Sequence, residues 1–280
     1  MERFSPLRYP GGKARLSSYI SKLIEYNDIC DAVYVEPFAG GASVALSLLF
    51  NETVSRILIN DLDLSIYALW YAIVNYPEEI CKLIRDTPVD IVNWDKQRNI
   101  QRDRANVELF LLGFSTLFLN RTNRSGILTG GIIGGRGQCG AWKIDARFNK
   151  QSIIEKIYRI ARYNDRIIAS NLDCVDLLEK QVELDTRATF IYFDPPYYQK
   201  GQALYLNSLK HDDHVRINSV VAEIKNAKWV MSYDNNDIIK KLYNTFAQSE
   251  YSLMYYAQNV RVEREVMIYS RNCLHPTIIL

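Results

Sequence analysis

The run "ATFIYF" (188–193) passes at once into Asp194, Pro195 and Pro196. Proline has no backbone N–H and fixes φ, so a sheet strand must stop here. The same plan occurs earlier. "AVYVE" (32–36) gives way to Pro37 and the Gly40–Gly41 turn, then to the helical "ASVALSLLF"; "RILI" (56–59) ends on Asn60 and Asp61. Further on, "RIIAS" (166–170) reads as a strand, 174–182 as a helix, 212–226 as a helix, "WVMS" (229–232) as a strand and 236–247 as a helix. Strands alternating with helices predict an α/β fold with a doubly wound, mostly parallel sheet. The last two strands, 251–256 and 265–270, have no helix between them and are expected to pair antiparallel. Before the first strand, 14–27 places Leu16, Ile20, Leu23 and Ile24 on one helical face.

The alternation is interrupted in the middle. Helices are expected around 64–75, 77–86 and 106–119, followed by "NRTNRSGILTGGIIGGRGQCGAWKIDARFNK" (120–150), which holds seven of the chain's thirteen glycines. That composition suits neither a stable helix nor a central strand, and a long irregular segment in a compact protein is usually functional or disordered. The expected organisation is therefore a sheet domain from 1–63 and 165–280, with 64–164 as an inserted, mainly helical domain. The apolar stretch "LFLLGFSTLFL" (109–119) is shorter than the ~18 residues a membrane span needs, so it is expected to be a core helix.

Composition narrows the function classes. The 280 residues are 48% hydrophobic and 24% charged with a net charge of +2, which permits a nucleic-acid partner without demanding one. Five scattered cysteines never fall in a CxxC spacing, which indicates neither zinc nor a disulfide framework and fits reduced thiols in a cytoplasm. His211, His214 and His275 make no metal triad and are expected at the surface. With no apolar signal core at the N-terminus, a cytoplasmic location is expected.

In an open α/β sheet, ligands sit outside the carboxyl ends of strands near the reversal of strand order. Three stretches lie at strand ends: "VEPFAGGAS" (35–43), "INDLD" (59–63) and "FDPPYY" (193–198). The Gly turn before a helix suits a nucleoside-type ligand, and Asp61, about 20 residues later, can accept ribose hydroxyl hydrogen bonds. "FAGGAS" is not the dehydrogenase G-x-G-x-x-G, and "PGGKA" lacks both the first glycine and the Ser/Thr of a phosphate loop. At "DPPY", the Asp194 carboxylate and the Pro195 carbonyl can together accept both hydrogens of an exocyclic amine, turning its lone pair toward an electrophile. Pro196 stiffens the turn, and Tyr197 offers a flat face on which the ring bearing that amine can stack. This set fits direct methyl transfer to an amine on a base.

These motifs resemble those of the Dam-type N6-adenine DNA methyltransferases, which use S-adenosylmethionine. "RYPGGK" (8–13) is similar to that family's N-terminal cofactor motif, "VEPFAGGAS" to its Gly-containing motif, "NDLD" (60–63) to its ribose-binding acid and "DPPY" to its catalytic tetrad. The resemblance implies a Rossmann-like methyltransferase sheet with an inserted DNA-recognition domain. It implies cofactor-binding roles for Tyr9, Lys13, Glu36, Phe38, Gly40, Asp61, Asp173 and Asp194, and catalytic roles for Asp194, Pro195, Pro196 and Tyr197. Asp173 stands where the family places an acceptor for the cofactor's adenine amine, and capping of the helix that starts at Cys174 is the alternative. Tyr9 stands where many members carry Trp, and Ala42 interrupts the glycine pattern.

The implied substrate is double-stranded DNA, with the target adenine flipped out of the stack. Arg121, Asn123, Arg124, Arg136 and Gln138 in the Gly-rich segment have the side-chain types that read bases, with phosphate contact as the alternative for the arginines. Rival functions are an RNA adenine or a cytosine N4 methyltransferase, a catalytically inactive DNA-binding relative and a nicotinamide dehydrogenase. The first two usually begin their motif with Asn or Ser in place of Asp194, and the last leaves "DPPY" without a role. No metal site and no membrane association are expected. A monomer, or a dimer on DNA, is expected, with a cognate restriction endonuclease as a further partner.

Overall fold

The structure is a computed structural model and describes residues 4–8, 16–180, 184–198, 209–256 and 260–278. The proposed cofactor residues Tyr9 and Lys13 lie outside the described residues. Seven strands form one sheet in the order β3-β2-β1-β4-β5-β7-β6. They are β1 (Val33–Glu36), β2 (Arg56–Asn60), β3 (Ile167–Ser170), β4 (Thr189–Phe193), β5 (Lys228–Asp234), β6 (Ala247–Tyr256) and β7 (Val260–Tyr269). β1 runs parallel to β2 and β4, and β4 parallel to β5, whereas β7 runs antiparallel to both β5 and β6. Strand order reverses between β1 and β4, the crevice where such sheets bind ligands.

Backbone contacts divide the chain into two units: Lys13–Leu62 with Ser170–Leu280, and Glu2–Gly12 with Asp63–Ala169. The first unit carries α1 (Ser17–Tyr26), α2 (Ser43–Phe50), α8 (Cys174–Lys180), α9 (His211–Glu223) and α10 (Asp237–Leu242) with most of the sheet. Period-2 alternation splits its strands by face. Val35, Ile191, Phe193, Trp229, Met231, Tyr233, Val266 and Ile268 enter an apolar core with Leu177, Val221 and Ile239 of α8, α9 and α10. The opposite parity is mixed in character: Tyr34 and Glu36 on β1, Tyr192 on β4, Ser232 and Asp234 on β5, Glu265 on β7 and Tyr251 on β6, all buried. This second set frames the site described below.

The second unit is helical: α3 (Leu64–Asn75), α4 (Pro77–Asp86), α5 (Ile91–Arg102), α6 (Leu109–Thr122) and α7 (Lys150–Ala161). Residues 4–8 belong with it, where the sequence had placed them with the sheet. The reason is a cluster of long-range bonds: Arg8 N–H donates to Asn120 Oδ1 at 2.7 Å, Asn120 Nδ2 donates to Arg8 O at 2.9 Å, and Arg121 Nε donates to Pro6 O at 2.7 Å. Two helices were not anticipated. α5 buries only Trp94 and Gln97, so it shows no apolar stripe, and Asp90 caps it by accepting from Asn93 N–H at 2.8 Å. α7 does carry a stripe, Ile153, Ile154, Ile157 and Ile160, opened by Asn149 as N-cap. The helix expected over 236–247 stops at Leu242, closed by Gln248 Nε2 donating to Lys240 O and Tyr243 O, and β6 starts at Ala247 instead.

The expected core helix α6 packs against α3 through Gly113. A Cβ there would stand 2.4 Å from Ala68 O, 2.9 Å from Ala68 C and 3.0 Å from Ala72 Cβ. Among the described residues, no helix is long and apolar enough to cross a membrane. Gly113→Ala should force α3 and α6 apart and destabilise the protein by about 1–3 kcal/mol, outweighing the ~1 kcal/mol that alanine gains in helix propensity. Denaturant unfolding, read as a lowered midpoint, checks this.

Candidate active site

β4 delivers Asp194 to its carboxyl end, and a pair of hydroxyls on β4 and β5 fixes how it points. Tyr192, buried on β4, lies 2.9 Å through its hydroxyl from Ser232 Oγ on β5, and Ser232 Oγ donates to Asp194 Oδ1 at 3.0 Å. Since the one Ser232 proton goes to Asp194, the Tyr192 hydroxyl must be the donor to Ser232. Burial and the Asp194 charge push the Tyr192 phenol well above its ordinary range, so it stays protonated and keeps donating. Pro195 is buried, while Asp194, Pro196 and Tyr197 are half-buried.

The chain beyond the prolines is held by the neighbouring strands. The Tyr197 hydroxyl donates to Glu265 of β7, and Tyr198 N–H donates to Asp234 Oδ1 of β5 at 3.2 Å. Tyr198 packs its ring 5.3 Å from that of His214, and its hydroxyl lies 3.2 Å from His211 Nδ1. His214 was expected at the surface; it is fully buried, with Nδ1 2.8 Å from the Tyr233 hydroxyl. Burial pushes its imidazole down to about 4, so it is neutral at physiological pH. No group of side chains able to hold a metal occurs among the described residues.

On the other side of β4, the end of β1 forms the Gly turn. Gly40 has φ +47°, and its N–H donates to Asp61 Oδ2 at 2.8 Å, tying the turn to the end of β2. Ala42, also at φ +47°, is the residue before α2 and has no side chain to cap it. A left-handed alanine costs roughly 1–2 kcal/mol, so the turn needs support. Glu36 provides it: its Oε1 accepts from Ala45 N–H at 3.0 Å in the first turn of α2 and from the Tyr34 hydroxyl at 2.8 Å. Glu36 is 4% exposed, so the carboxyl expected to face the cofactor is engaged with the turn itself. Phe38 is half-buried against the apolar core. Asp173 caps α8, its Oδ1 accepting from Val175 N–H at 3.0 Å, and it lies 3.7 Å from the Arg216 guanidinium.

In the helical unit, the five residues expected to read DNA separate into two groups. Asn123 is fully buried; its Oδ1 accepts from Trp94 Nε1 at 2.7 Å and its Nδ2 donates to Ile127 O and Leu128 O, both at 2.9 Å. Gln138 Nε2 donates to Ile133 O and Gly135 O, and its Oε1 accepts from Ile144 N–H at 2.8 Å. Arg121 gives its guanidinium to Pro6 O and Arg147 O, and burial followed by the nearby Arg8 charge pushes its pKa down to about 10. In this conformation all three side chains bond within the protein itself. Arg124 and Arg136 are exposed. Arg136 grips Asp95 with two bonds of 2.9 and 2.8 Å and lies 5.9 Å over the Trp94 ring.

The residues that sequence reasoning missed are Tyr192, Ser232, Asp234, Tyr251 and Glu265. Their one available signal is a polar residue at every second position of otherwise apolar strands, as in Ser232 and Asp234 of "WVMSYD".

Glu36 also yields a pH prediction. Burial pushes its carboxyl up to about 8, with Asp194 adding to the push and the Tyr34 and Ala45 bonds opposing it. A carboxyl whose pKa is higher folded than unfolded stabilises the fold fully below its unfolded value of about 4.3, and that contribution fades as pH rises through the folded value. Glu36→Gln keeps an oxygen to accept from Tyr34 and Ala45, so it should flatten the fall in stability between pH 5 and about 8. Thermal midpoints of both proteins across that range check this.

A family model described as "D12 class N6 adenine-specific DNA methyltransferase" matches residues 9–258. The type II methyltransferase M.MjaIII of Methanocaldococcus jannaschii is 21% identical over 264 residues, covering 86% of this chain and 88% of the relative. The type II methyltransferase M.CviBI of Paramecium bursaria Chlorella virus NC1A is 25% identical over 256 residues, covering 89% and 90%. Among solved structures, the rRNA methyltransferase aviRa from Streptomyces viridochromogenes aligns with 95% of this chain and 87% of its own at 11% identity and a TM-score of 0.43. The reversal of strand order between β1 and β4, the acid at the open end of β4 and the match over residues 9–258 lead to one conclusion: this chain belongs to the D12 class of N6-adenine-specific DNA methyltransferases.

Proposed function

We propose that the chain transfers a methyl group from S-adenosylmethionine to N6 of an adenine flipped out of one double-stranded DNA sequence, without a covalent intermediate. The observation that carries this reading is the Asp194 carboxylate, oriented by Ser232 at the open end of β4, next to the strand whose end forms the Gly40–Asp61 turn. Asp194 and the Pro195 carbonyl accept the two amine hydrogens, which turns the N6 lone pair out of the ring plane. Tyr197 offers the flipped base a stacking face. Such stacking is worth ~1–3 kcal/mol, against a flipping cost of a few kcal/mol, so DNA contacts elsewhere must supply the rest.

The residues fit the donor. Asp61, tied to the Gly40 turn, is the acid proposed to accept the ribose hydroxyls; Phe38 is a partly exposed ring at the turn, and Asp173 stands at the start of α8. Tyr9 and Lys13 complete the set by resemblance. When bound, S-adenosylmethionine supplies an electrophilic methyl on sulfur. Glu36 serves indirectly by holding the turn. The type II names of the relatives support a place beside a restriction endonuclease that cuts the same sequence.

Two measurements test the reading. Incubation with a randomised duplex library and S-adenosylmethionine should give N6-methyladenine within one sequence; N4-methylcytosine, or no base product, overturns it. In the same library, Arg124→Ala and Arg136→Ala separate base reading from phosphate contact. Loss of base reading relaxes one position of the methylated site, whereas loss of a phosphate contact weakens all sequences alike and lowers the salt slope by about one.

Asp61→Ala should weaken S-adenosylmethionine binding by about 1–3 kcal/mol, since hydrogen bonds to a charged acceptor are lost. Calorimetric titration checks this, and an unchanged affinity marks Asp61 as a purely structural tie for Gly40.

A further inference from the structure

We infer that Glu265 is a positioning residue for methyl transfer: it sets the Tyr197 ring through the hydroxyl bond across the sheet. The inference rests on the reading of Tyr197 as the stacking face for the target base.

Glu265 lies in the antiparallel half of the sheet, outside the family's motif stretches identified in the sequence. It has no exposed surface, and two tyrosines converge on it. The Tyr251 hydroxyl donates to Oε2 at 2.6 Å, and the Tyr197 hydroxyl donates to Oε1. Strand register explains the meeting. Tyr251 of β6 and Asp234 of β5 are the Cα partners of Glu265 on either side, so all three side chains line one face in a row across β6, β7 and β5. Asp234, 8% exposed, takes the next residue of the same turn by accepting Tyr198 N–H at 3.2 Å. Two neighbouring carboxylates thus hold two consecutive residues of the turn that follows Pro196.

Stability alone does not account for an acid at this position. The residues that follow it on β7, Val266, Met267 and Ile268, are buried and apolar. An apolar side chain in a buried ionic position is often neutral or stabilising, and like charges on directly opposed residues disfavour the sheet. A fixed hydroxyl, by contrast, does something useful for catalysis. A tyrosine turns about two side-chain bonds, and a ring anchored at its far end presents one face before the base arrives. Preorganisation of this kind lowers the ordering required in the transition state.

The test removes the bond and leaves the ring. Tyr197→Phe deletes only the hydroxyl, and Glu265→Met removes both acceptor oxygens while keeping the length of the side chain. Each should lower kcat on the order of tenfold, the size expected for one hydrogen bond to a charged group, with KM for S-adenosylmethionine unchanged. A fluorescent adenine analogue at the target position should brighten less with either variant. The double variant should be no worse than the more impaired single one, because both changes break the same contact. If Tyr197→Ala dims the analogue while Tyr197→Phe keeps wild-type kcat and brightness, positioning by Glu265 is overturned and the stacking reading stands. If Tyr197→Ala also leaves both unchanged, the stacking reading fails and the positioning role with it. Should Glu265→Met not fold, Tyr197→Phe alone decides between these outcomes.

Discussion

A carboxylate brought to the edge of a protein core must be hydrogen-bonded, and in this chain Asp194 obtains its orienting bond from Ser232. That bond is possible only because β4 and β5 are parallel neighbours, which places Tyr192, Ser232 and Asp194 on one face. The parallel order in turn requires helical crossovers and an apolar opposite face. Trp229, Met231, Phe193 and Ile191 fill that face against α8, α9 and α10. Because side chains alternate with period two, a shift of one residue in β5 would send Ser232 into the apolar core and Met231 toward Asp194. The register of the sheet and the aim of the Asp194 carboxylate are therefore one constraint.

A similar economy governs the Gly turn. Gly40 and Ala42 both take left-handed backbone conformations, and neither contributes a side chain able to hold the turn. Two acids from outside the turn do so: Asp61 binds the Gly40 N–H, and Glu36 binds the Ala45 N–H at the start of α2. One of them is half-buried, where a ligand can reach it, and the other is fully buried. Residues that resemble a ligand-binding motif thus divide into one that solvent can reach and one sealed beneath the loop it shapes.

The strand ends were legible because prolines, glycines and acids punctuate short apolar runs. The place of Asp61 and Asp194 at strand ends was legible for that reason, as was the antiparallel ending. The supports were not legible, because Ser232 lies 38 residues from Asp194 and Glu265 lies 68 residues from Tyr197. Nothing local to the "DPPY" stretch points to either. In the Gly-rich segment the residue types have an internal use that sequence does not show. An irregular loop leaves backbone groups without ladder partners, and amide side chains satisfy them; Asn123 and Gln138 are both used in this way. Exposed arginines remain as groups able to meet DNA. α5 escaped notice because a helix that buries only Trp94 and Gln97 has no apolar stripe to read.

The central claim of the proposed function is that Asp194 acts mainly on the target amine, with Ser232 and Tyr192 behind it, and contributes little to holding the donor. Single-turnover methyl transfer by Asp194→Ala, measured beside calorimetric binding of S-adenosylmethionine, tests this most directly. Loss of methyl transfer with donor affinity largely retained is the predicted result; turnover near that of the unaltered protein would contradict it.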